Sequence, residues 1–585
     1  MVYSEYLSLG LYFIFLIVIG ILFSRFNRNL SDYVRGGGMA TWWMVGTSSL
    51  MAAISAFTFT GNASAAYEAG PTLLIIYAAN CAGFLIGFFF LAAWFRQTRA
   101  LTLADIIRER FGVAAEQFNV ISFAFLAPVA AAIQLWALAV FASAVFGFPL
   151  IGSILVIGAV VTIYSTTGGR WGVMATDFLQ SLILIPITLL LGYLSLRAVG
   201  GFSGLIEIFS MPGISEDFRF VKEPGAFSDD RFTPKWIVAI FLIQLSGFIS
   251  ISGAPRYLSV KDGREGRRSA MLAFVLMAIG AFVWIIPPMV ARAKLAEEVA
   301  AVGLENVSEA SYAVAAMAYL PNGLLGVMIV AMFAATMSSM DTGLNMVTGT
   351  VVRNFWPWVQ RITGLKPMSP STELLSCKLV TAGLGVAITG MALMLAAQRS
   401  FQLFDAYFVI ATIIGLPVTI PLVAGLFIRR LPYVSYFIIS ILSALPAIYS
   451  LLDARFNGNN WTVQDRALWV IAFGLIGVLI SVFLKSWEKP ENRSQIEALF
   501  RRMKTPVDPS EHEGLGTDSV QLITTGKTTV SAGVFLLLLL LLVESLQGVL
   551  AVLFVSGFVL CVGALMLWAG RRSAVGKFNK NPEES

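Results

Sequence analysis

The chain has 585 residues, 57% hydrophobic and only 13% charged, with a mean hydropathy of +0.79. A soluble domain carries about 25% charge, so this composition excludes a soluble globular protein. A net charge of +6 would suit a nucleic-acid partner only if the basic residues formed one polar surface, and here they sit in short loops between apolar runs.

In chain order, apolar runs near the length that spans a bilayer core predict fifteen helices, at 5–24, 44–66, 71–95, 116–146, 150–167, 172–199, 234–255, 269–291, 322–352, 374–397, 403–428, 433–452, 467–485, 529–546 and 548–569. The first has no basic flank before it and no small-residue cleavage site after it, so a retained helix is expected rather than a signal peptide. The last two come from one long run broken at "ESLQG" (544–548). The alternation of a membrane β-barrel is missing.

The loops assign direction. Arg25, Arg28 and Arg35 follow the first span, Arg96, Arg99, Arg108 and Arg110 the third, and Arg256, Lys261, Arg264, Arg267 and Arg268 the seventh. Residues 200–233 instead carry six acidic against three basic side chains. The positive-inside rule then puts the N-terminus outside and the C-terminus inside, with the basic loops facing anionic lipid. Residues 486–528 read as a cytoplasmic linker with one amphipathic helix, "RSQIEALFRRM".

Three dispersed cysteines, Cys81, Cys377 and Cys561, argue against a disulfide framework or a metal cluster. The only histidine, His512, lies in the linker. Histidine acid–base chemistry is therefore missing from the membrane core, against a hydrolase or haem protein.

The second span, "GTSSLMAAISAFTFTGNASAAYEAG" (46–70), is a poor lipid-facing helix. Its small residues suit close helix packing. Its hydroxyls Ser48, Ser49, Ser55, Thr58 and Thr60 do not keep to one stripe, and Thr58, Thr60 and Asn62 weaken helix propensity. A helix interrupted there would free carbonyls for a cation, which is tolerated only where backbone lines a cavity.

In the ninth span, "AATMSSMDTGLNMV" (334–347) sets Ala335, Ser338, Ser339 and Thr342 on one face by steps of three and four, with Asp341 at its edge. Serines often bond back to their own helix. A carboxylate at that depth costs about 2.5–3.5 kcal/mol and needs a cation or a proton. Oxygen ligands suit a hard cation such as sodium. Asp177, two turns into the sixth span, either pairs with Arg170 or meets the ninth helix to complete a cation site.

Three motifs resemble the sodium/solute symporter family, the group of sodium/glucose, proline and sialic acid transporters: "WWMVGTSSLMAAISAFTF" (42–59), "GGRWGVMATDFLQ" (168–180) and "AATMSSMDTGLN" (334–345). The resemblance covers about residues 1–485. It implies an all-α polytopic protein with a LeuT-like fold, two inverted five-helix repeats (spans 2–6 and 7–11) and accessory helices. It implies a first sodium site from carbonyls of Met51, Ile54 and Ala335 and hydroxyls of Ser338 and Ser339. It also implies a second, used by some members only, from Asp177, Ser338, Asp341 and Thr342. The chain departs from the family at 243–258, where small residues around Ser246 and Gly247 replace the aromatic inner gate of sugar transporters, and in the fourth span, where Gln134 has no arginine beside it to hold an acidic solute.

The implied division is an accessory helix and loop (1–40), the first repeat (41–200), an outer loop (201–233), the second repeat (234–430), two accessory helices (431–485), the linker (486–528), a helical hairpin (529–570) and a tail (571–585). The expected activity is sodium-driven symport of a small solute, with the lipid bilayer as surroundings and no obligate protein partner evident. Ser55, Thr58, Tyr77, Gln134, Gln244 and Ser246 would form a neutral hydrogen-bonding pocket, favouring a sugar or polyol, while helix ends and sodium leave a carboxylate or amino acid open. A sensor built on such a core would need a signalling domain, a channel would need filter loops or charged rings, and an enzyme would need reactive groups in the core. None of these is visible in the sequence.

The topology has a direct check. With the native cysteines replaced by alanine, a cysteine introduced at Gly514 should resist an impermeant maleimide in intact cells and react after permeabilisation. Reaction in intact cells would invert the orientation.

Overall fold

The computed structural model describes residues 30–250, 253–321, 324–397, 403–508, 518–538, 540 and 546–578. The predicted span 5–24, His512 and the first two residues of the "ESLQG" break lie outside them. Among the described residues the regular structure is helical, apart from one isolated parallel bridge, Ala40 to Val260. Among the described residues, eleven helical stretches are long and apolar enough to cross a membrane, and a shorter apolar one covers Leu150–Ile163.

After a short helix α1 (Leu30–Arg35), the predicted second span becomes three pieces, α2 (Trp42–Ala53), α3 (Ala56–Phe59) and α4 (Gly61–Ala69), followed by α5 (Leu74–Ile86). Then come α6 (Leu103–Phe146) and α7 (Leu150–Ala198). The fifth and sixth predicted spans form α7 together, as one helical stretch of 49 residues. At 1.5 Å per residue it measures about 74 Å, more than twice the bilayer core. Helices α8 (Pro234–Ile249), α9 (Ala254–Tyr257), α10 (Gly263–Lys294), α11 (Ser311–Tyr319) and α12 (Leu324–Thr350) follow. After these come α13 (Pro370–Ala396), α14 (Leu403–Ile410), α15 (Leu416–Phe427), α16 (Ser435–Asn457), α17 (Val463–Phe483), the linker helix α18 (Pro490–Arg502), α19 (Asp518–Leu537) and α20 (Leu546–Phe578).

Helix α12 is the centre of the packing. Ninety-four per cent of the apolar window in its stretch is buried inside the protein, whereas the equivalent figure for α13 is 22%. α12 packs on α6, α7, α2 and α13, and α2 also packs on α7 and α10. Gly46 permits the α2–α10 approach, because a Cβ there would sit 2.8 Å from the Ser269 carbonyl oxygen. The α19–α20 hairpin pairs mainly with itself and touches the core chiefly along α7.

One buried arginine ties the fold on the basic-loop side. Arg110, 1% exposed, donates Nε to Gly425 O (2.8 Å), Nη1 to Leu431 O (3.1 Å) and Nη2 to Ile428 O (2.9 Å). These carbonyls lie at and just beyond the C-terminal end of α15, where helix carbonyls lack partners. Arg110→Met keeps the length and removes all three bonds. Since an unsatisfied buried group costs about 1–3 kcal/mol, the variant should unfold at a clearly lower temperature in a detergent-solubilised thermal melt.

Candidate functional site

The break between α2 and α3 is two residues long. Ile54 and Ser55 are both extended. The sequence builds this stop and restart locally. Ser55 Oγ accepts from Phe57 N (3.2 Å), and Thr58 Oγ1 accepts from Ser55 N (3.3 Å), a reciprocal capping box that starts α3. A second departure from helical geometry follows at Thr60.

Helix α12 holds both sides of this break. Thr336 Oγ1 accepts from Ala56 N at 2.8 Å, satisfying a free donor of α3. Ser339 Oγ lies 2.8 Å from Ile54 O, 3.4 Å from Met51 O and 3.2 Å from Ala335 O. A hydroxyl has one proton, so it cannot serve three carbonyls fully. Three acceptors converging on one donor make an electron-rich cradle suited to a small hard cation. Met51, Ile54, Ala335 and Ser339 are thus brought together as the sequence led us to expect.

Ser338 and Asp177 adjoin the cradle. Ser338 is 1% exposed and Asp177 fully buried. Asp177 Oδ2 accepts from Ser48 Oγ at 2.5 Å, and Ser338 lies beside the same carboxylate. Yet Asp177 Oδ1 and Ser338 Oγ are left without a hydrogen-bond partner. Buried polar atoms are nearly always paired; the Ser338 hydroxyl faces the Asp177 carboxylate but does not reach it in good hydrogen-bond geometry, which leaves oxygen lone pairs that fit a ligand with positive charge. Asp341 stands on α12, one turn on from Ser338; its side chain lies outside what the structure describes.

Thr342 is already engaged. Arg256, in the short helix α9, donates Nη2 to Thr342 Oγ1 (2.7 Å) and Nε to Ser48 O (3.1 Å). Arg256 and the buried Arg170 both act electrostatically on Asp177, and neither closes to ion-pair distance with it. The direct Asp177–Arg170 pair considered from the sequence is not formed, and Arg170 Nε and Nη2 have no partner.

A cavity of about 250 Å³ opens beside α2. Gln244, Gly247, Phe248 and Tyr407 line one part, Gly87, Arg256 and Tyr257 another, and Ser49, Ala52 and Ala53 face it from α2. Tyr407 OH donates to Gln244 Oε1 (3.3 Å), and Phe57 packs on Tyr407 and Phe404 with ring centroids 5.3 and 6.5 Å away. Of the six residues expected to hold solute, only Gln244 lines this cavity. Ser55 and Thr58 are buried in the capping box. Tyr77 is enclosed beside Trp284, 5.7 Å between ring centroids. Ser246 Oγ bonds back to Ile243 O at 2.8 Å, and Gln134 Oε1 is buried without a partner.

Arg256, Tyr407, Phe57 and Thr336 were not singled out from the sequence. Arg256 stood in plain view in "APRYL", but its basic loop made a lipid-facing role the simpler reading. Ser48 was noted only as one hydroxyl among several.

A buried helix broken near its middle, whose freed carbonyls meet hydroxyls and a carboxylate from two other buried helices, defines an ion-coupled membrane transporter. Comparison with known proteins agrees. The chain belongs to the sodium:solute symporter family, whose model matches residues 33–435. It is 24% identical over 485 residues to the sodium/sialic acid symporter NanT of Aliivibrio fischeri, covering 82% of this chain and 92% of that one. It is 22% identical over 457 residues to sodium/glucose cotransporter 1 of Ovis aries, covering 72% and 67%. The solved structure of a substrate-bound, outward-open Na+-coupled sialic acid symporter superposes with a TM-score of 0.69 at 22% identity, covering 83% of this chain and 98% of that chain. The protein is therefore a multi-pass, sodium-coupled solute symporter of LeuT-like fold, and not an enzyme.

The cradle makes a quantitative expectation. Ser339→Ala removes one ligand oxygen and should raise the sodium concentration for half-maximal uptake about fivefold, the equivalent of roughly 1 kcal/mol, with normal membrane insertion. Ser338→Ala should act in the same direction. Unchanged sodium dependence in both would remove these hydroxyls from the ion site.

Proposed function

We propose that the protein couples inward sodium movement to uptake of a small, neutral, polyhydroxylated solute of the sugar or polyol class, by alternating access between two inverted repeats at 41–200 and 234–430. The observation that carries the solute class is the cavity wall. Among the described residues Arg256 is the one charged side chain that lines it, and its guanidinium is already engaged by Ser48 O and Thr342 and faces Asp177. What remains for a solute is neutral: Gln244, Tyr407, Tyr257 and Ser49. Relatives named as sialic acid symporters keep a carboxylated sugar as the second reading, and Arg256 is the group that would favour it if released from its present partners.

In this proposal the first sodium lies among Met51, Ile54, Ala335, Ser338 and Ser339. A second ion is taken by Asp177, Ser338, Asp341 and Thr342, and it must displace Arg256 from Thr342. Topology follows the basic loops, which face inward, with 431–485, 486–528 and 529–570 as accessory elements outside the repeats. Each net charge carried inward is worth about 2.3 kcal/mol per 100 mV, which supplies the driving force.

Proteoliposomes loaded under a sodium gradient test this reading. Labelled glucose and myo-inositol should accumulate, and excess N-acetylneuraminate or proline should not compete. Accumulation of the acidic sugar alone would overturn the neutral assignment. Asp177→Asn should lower the number of charges moved per solute while leaving uptake through the first site; a wild-type ratio and sodium affinity would remove Asp177 as an ion ligand.

A further inference from the structure

A second and larger cavity lies away from the solute path. It measures about 760 Å³ and is an open cleft between the linker helix α18 and the basic-loop end of the core. Five arginines line it: Arg35 from the end of α1, Arg99 from the loop before α6, Arg108 from the first turns of α6, Arg353 just beyond α12 and Arg502 from α18. Asp105 and Glu109 are the only lining carboxylates, so the wall keeps an excess of three positive charges.

The arginines are partly fixed in place. Arg502 pairs with Glu109, although its buried Nε finds no partner. Arg108 lies 3.9 Å from Glu116. Arg99 holds a left-handed φ of 62°, uncommon for a residue with a side chain. Its guanidinium donates to Gln97 O (2.9 Å) and to Pro506 O beyond α18 (3.1 Å). Arg353 is exposed. Five guanidiniums converge from separate elements, only part of their charge is met by Glu109 and Glu116, and an anion placed among them would be attracted by the rest. The planar guanidinium fork matches phosphate oxygens in pairs, and the volume falls in the range of small-molecule sites.

We propose that this cavity binds a phosphate-bearing anion, and that the bound anion ties the linker helix to the end of α12. The ligand is recognised by its phosphate groups, which a free phosphate compound or a lipid headgroup could supply. Arg353 follows the helix that carries Ser338 and Ser339, so an anion bridging Arg353 and Arg502 would hold the ion-binding helix against the linker. The sequence marked this linker only as an amphipathic connector, and the transport chemistry above makes no use of it.

The test uses the full-length chain. Inorganic pyrophosphate is titrated calorimetrically into detergent-solubilised protein. In a second arm, protein in nanodiscs of phosphatidylcholine, with or without phosphatidylglycerol, is examined for retained lipid by native mass spectrometry. The double variant Arg108→Gln/Arg353→Gln alters two exposed side chains, and Arg455→Gln, on the opposite side of the bundle, is the control. Pyrophosphate binding that weakens about tenfold or more in the double variant, with the control unchanged, supports the proposal and assigns a free phosphate ligand. Selective retention of phosphatidylglycerol, lost in the double variant, supports it and assigns a headgroup. Binding of neither probe, or equal binding by wild type and a double variant with an unchanged melting temperature, overturns it.

Discussion

The structure depends on one short interruption. Two extended residues, Ile54 and Ser55, turn a membrane helix into two pieces, and every exposed backbone group there must find a partner because lipid offers none. Helix α12 supplies them from both directions. Thr336 answers the freed N–H of Ala56, and Ser339 answers the freed carbonyls. The donor side is satisfied by one hydrogen bond. The acceptor side is not, since three carbonyl oxygens share a single proton. This asymmetry is what suits the proposed site to an ion rather than to a purely structural contact. A sodium ion can sit among several oxygens at once, which a hydroxyl proton cannot do. It also explains why α12 is so deeply buried: a helix that closes such a gap has to be surrounded by the elements it serves.

Much of this was legible in the sequence because the chemistry is concentrated in rare residue types. Ser338, Ser339 and Thr342 stood out because hydroxyls at helical spacing are conspicuous in an apolar run, and Asp177 because a carboxylate in hydrocarbon is costly. An interruption of this span was expected from Thr58, Thr60 and Asn62; the structure places one at Ile54–Ser55, where the capping box of Ser55 and Thr58 gives it a local cause, and a second departure at Thr60. The hydroxyls expected to hold solute are placed away from the cavity beside α2. Ser55, Thr58 and Ser246 were chosen for their hydroxyls, but a hydroxyl in a membrane helix can bond to nearby backbone as readily as to a ligand, and these three do so. Periodicity does not reveal that choice. The aromatic closure by Phe57, Phe404 and Tyr407 joins segments about 350 residues apart in sequence, and no local pattern announces it. The continuous α7 was missed for another reason. Glycines at 168 and 169 and a basic residue between two apolar runs look like a loop, but neither is a helix breaker strong enough to force one when neighbours pack along the whole length.

The two ion positions differ in kind. At the first proposed position the oxygens are neutral dipoles, so a cation would enter without meeting another charge and would stabilise the contact between α2 and α12. Around Asp177 a charge balance already exists. Arg256 and Arg170 both face the carboxylate, and Arg256 also occupies Thr342 and the Ser48 carbonyl. A cation arriving there would face the repulsion of a guanidinium it must first displace. Displacement breaks the bonds from α9 to α2 and to α12 together, while α9 continues the broken helix α8 beside the solute cavity. Ion binding at Asp177 would thereby be linked to movement of α9, and α9 carries Arg256 and Tyr257, which line that cavity. In this proposal Arg256 stands where the ion and the solute meet. A rearrangement that frees Arg256 would open Thr342 and Asp177 to an ion in the same step that changes the charge of the solute cavity. That shared residue is a physical route by which occupancy of one site can alter affinity at the other, without a separate chain of contacts between them.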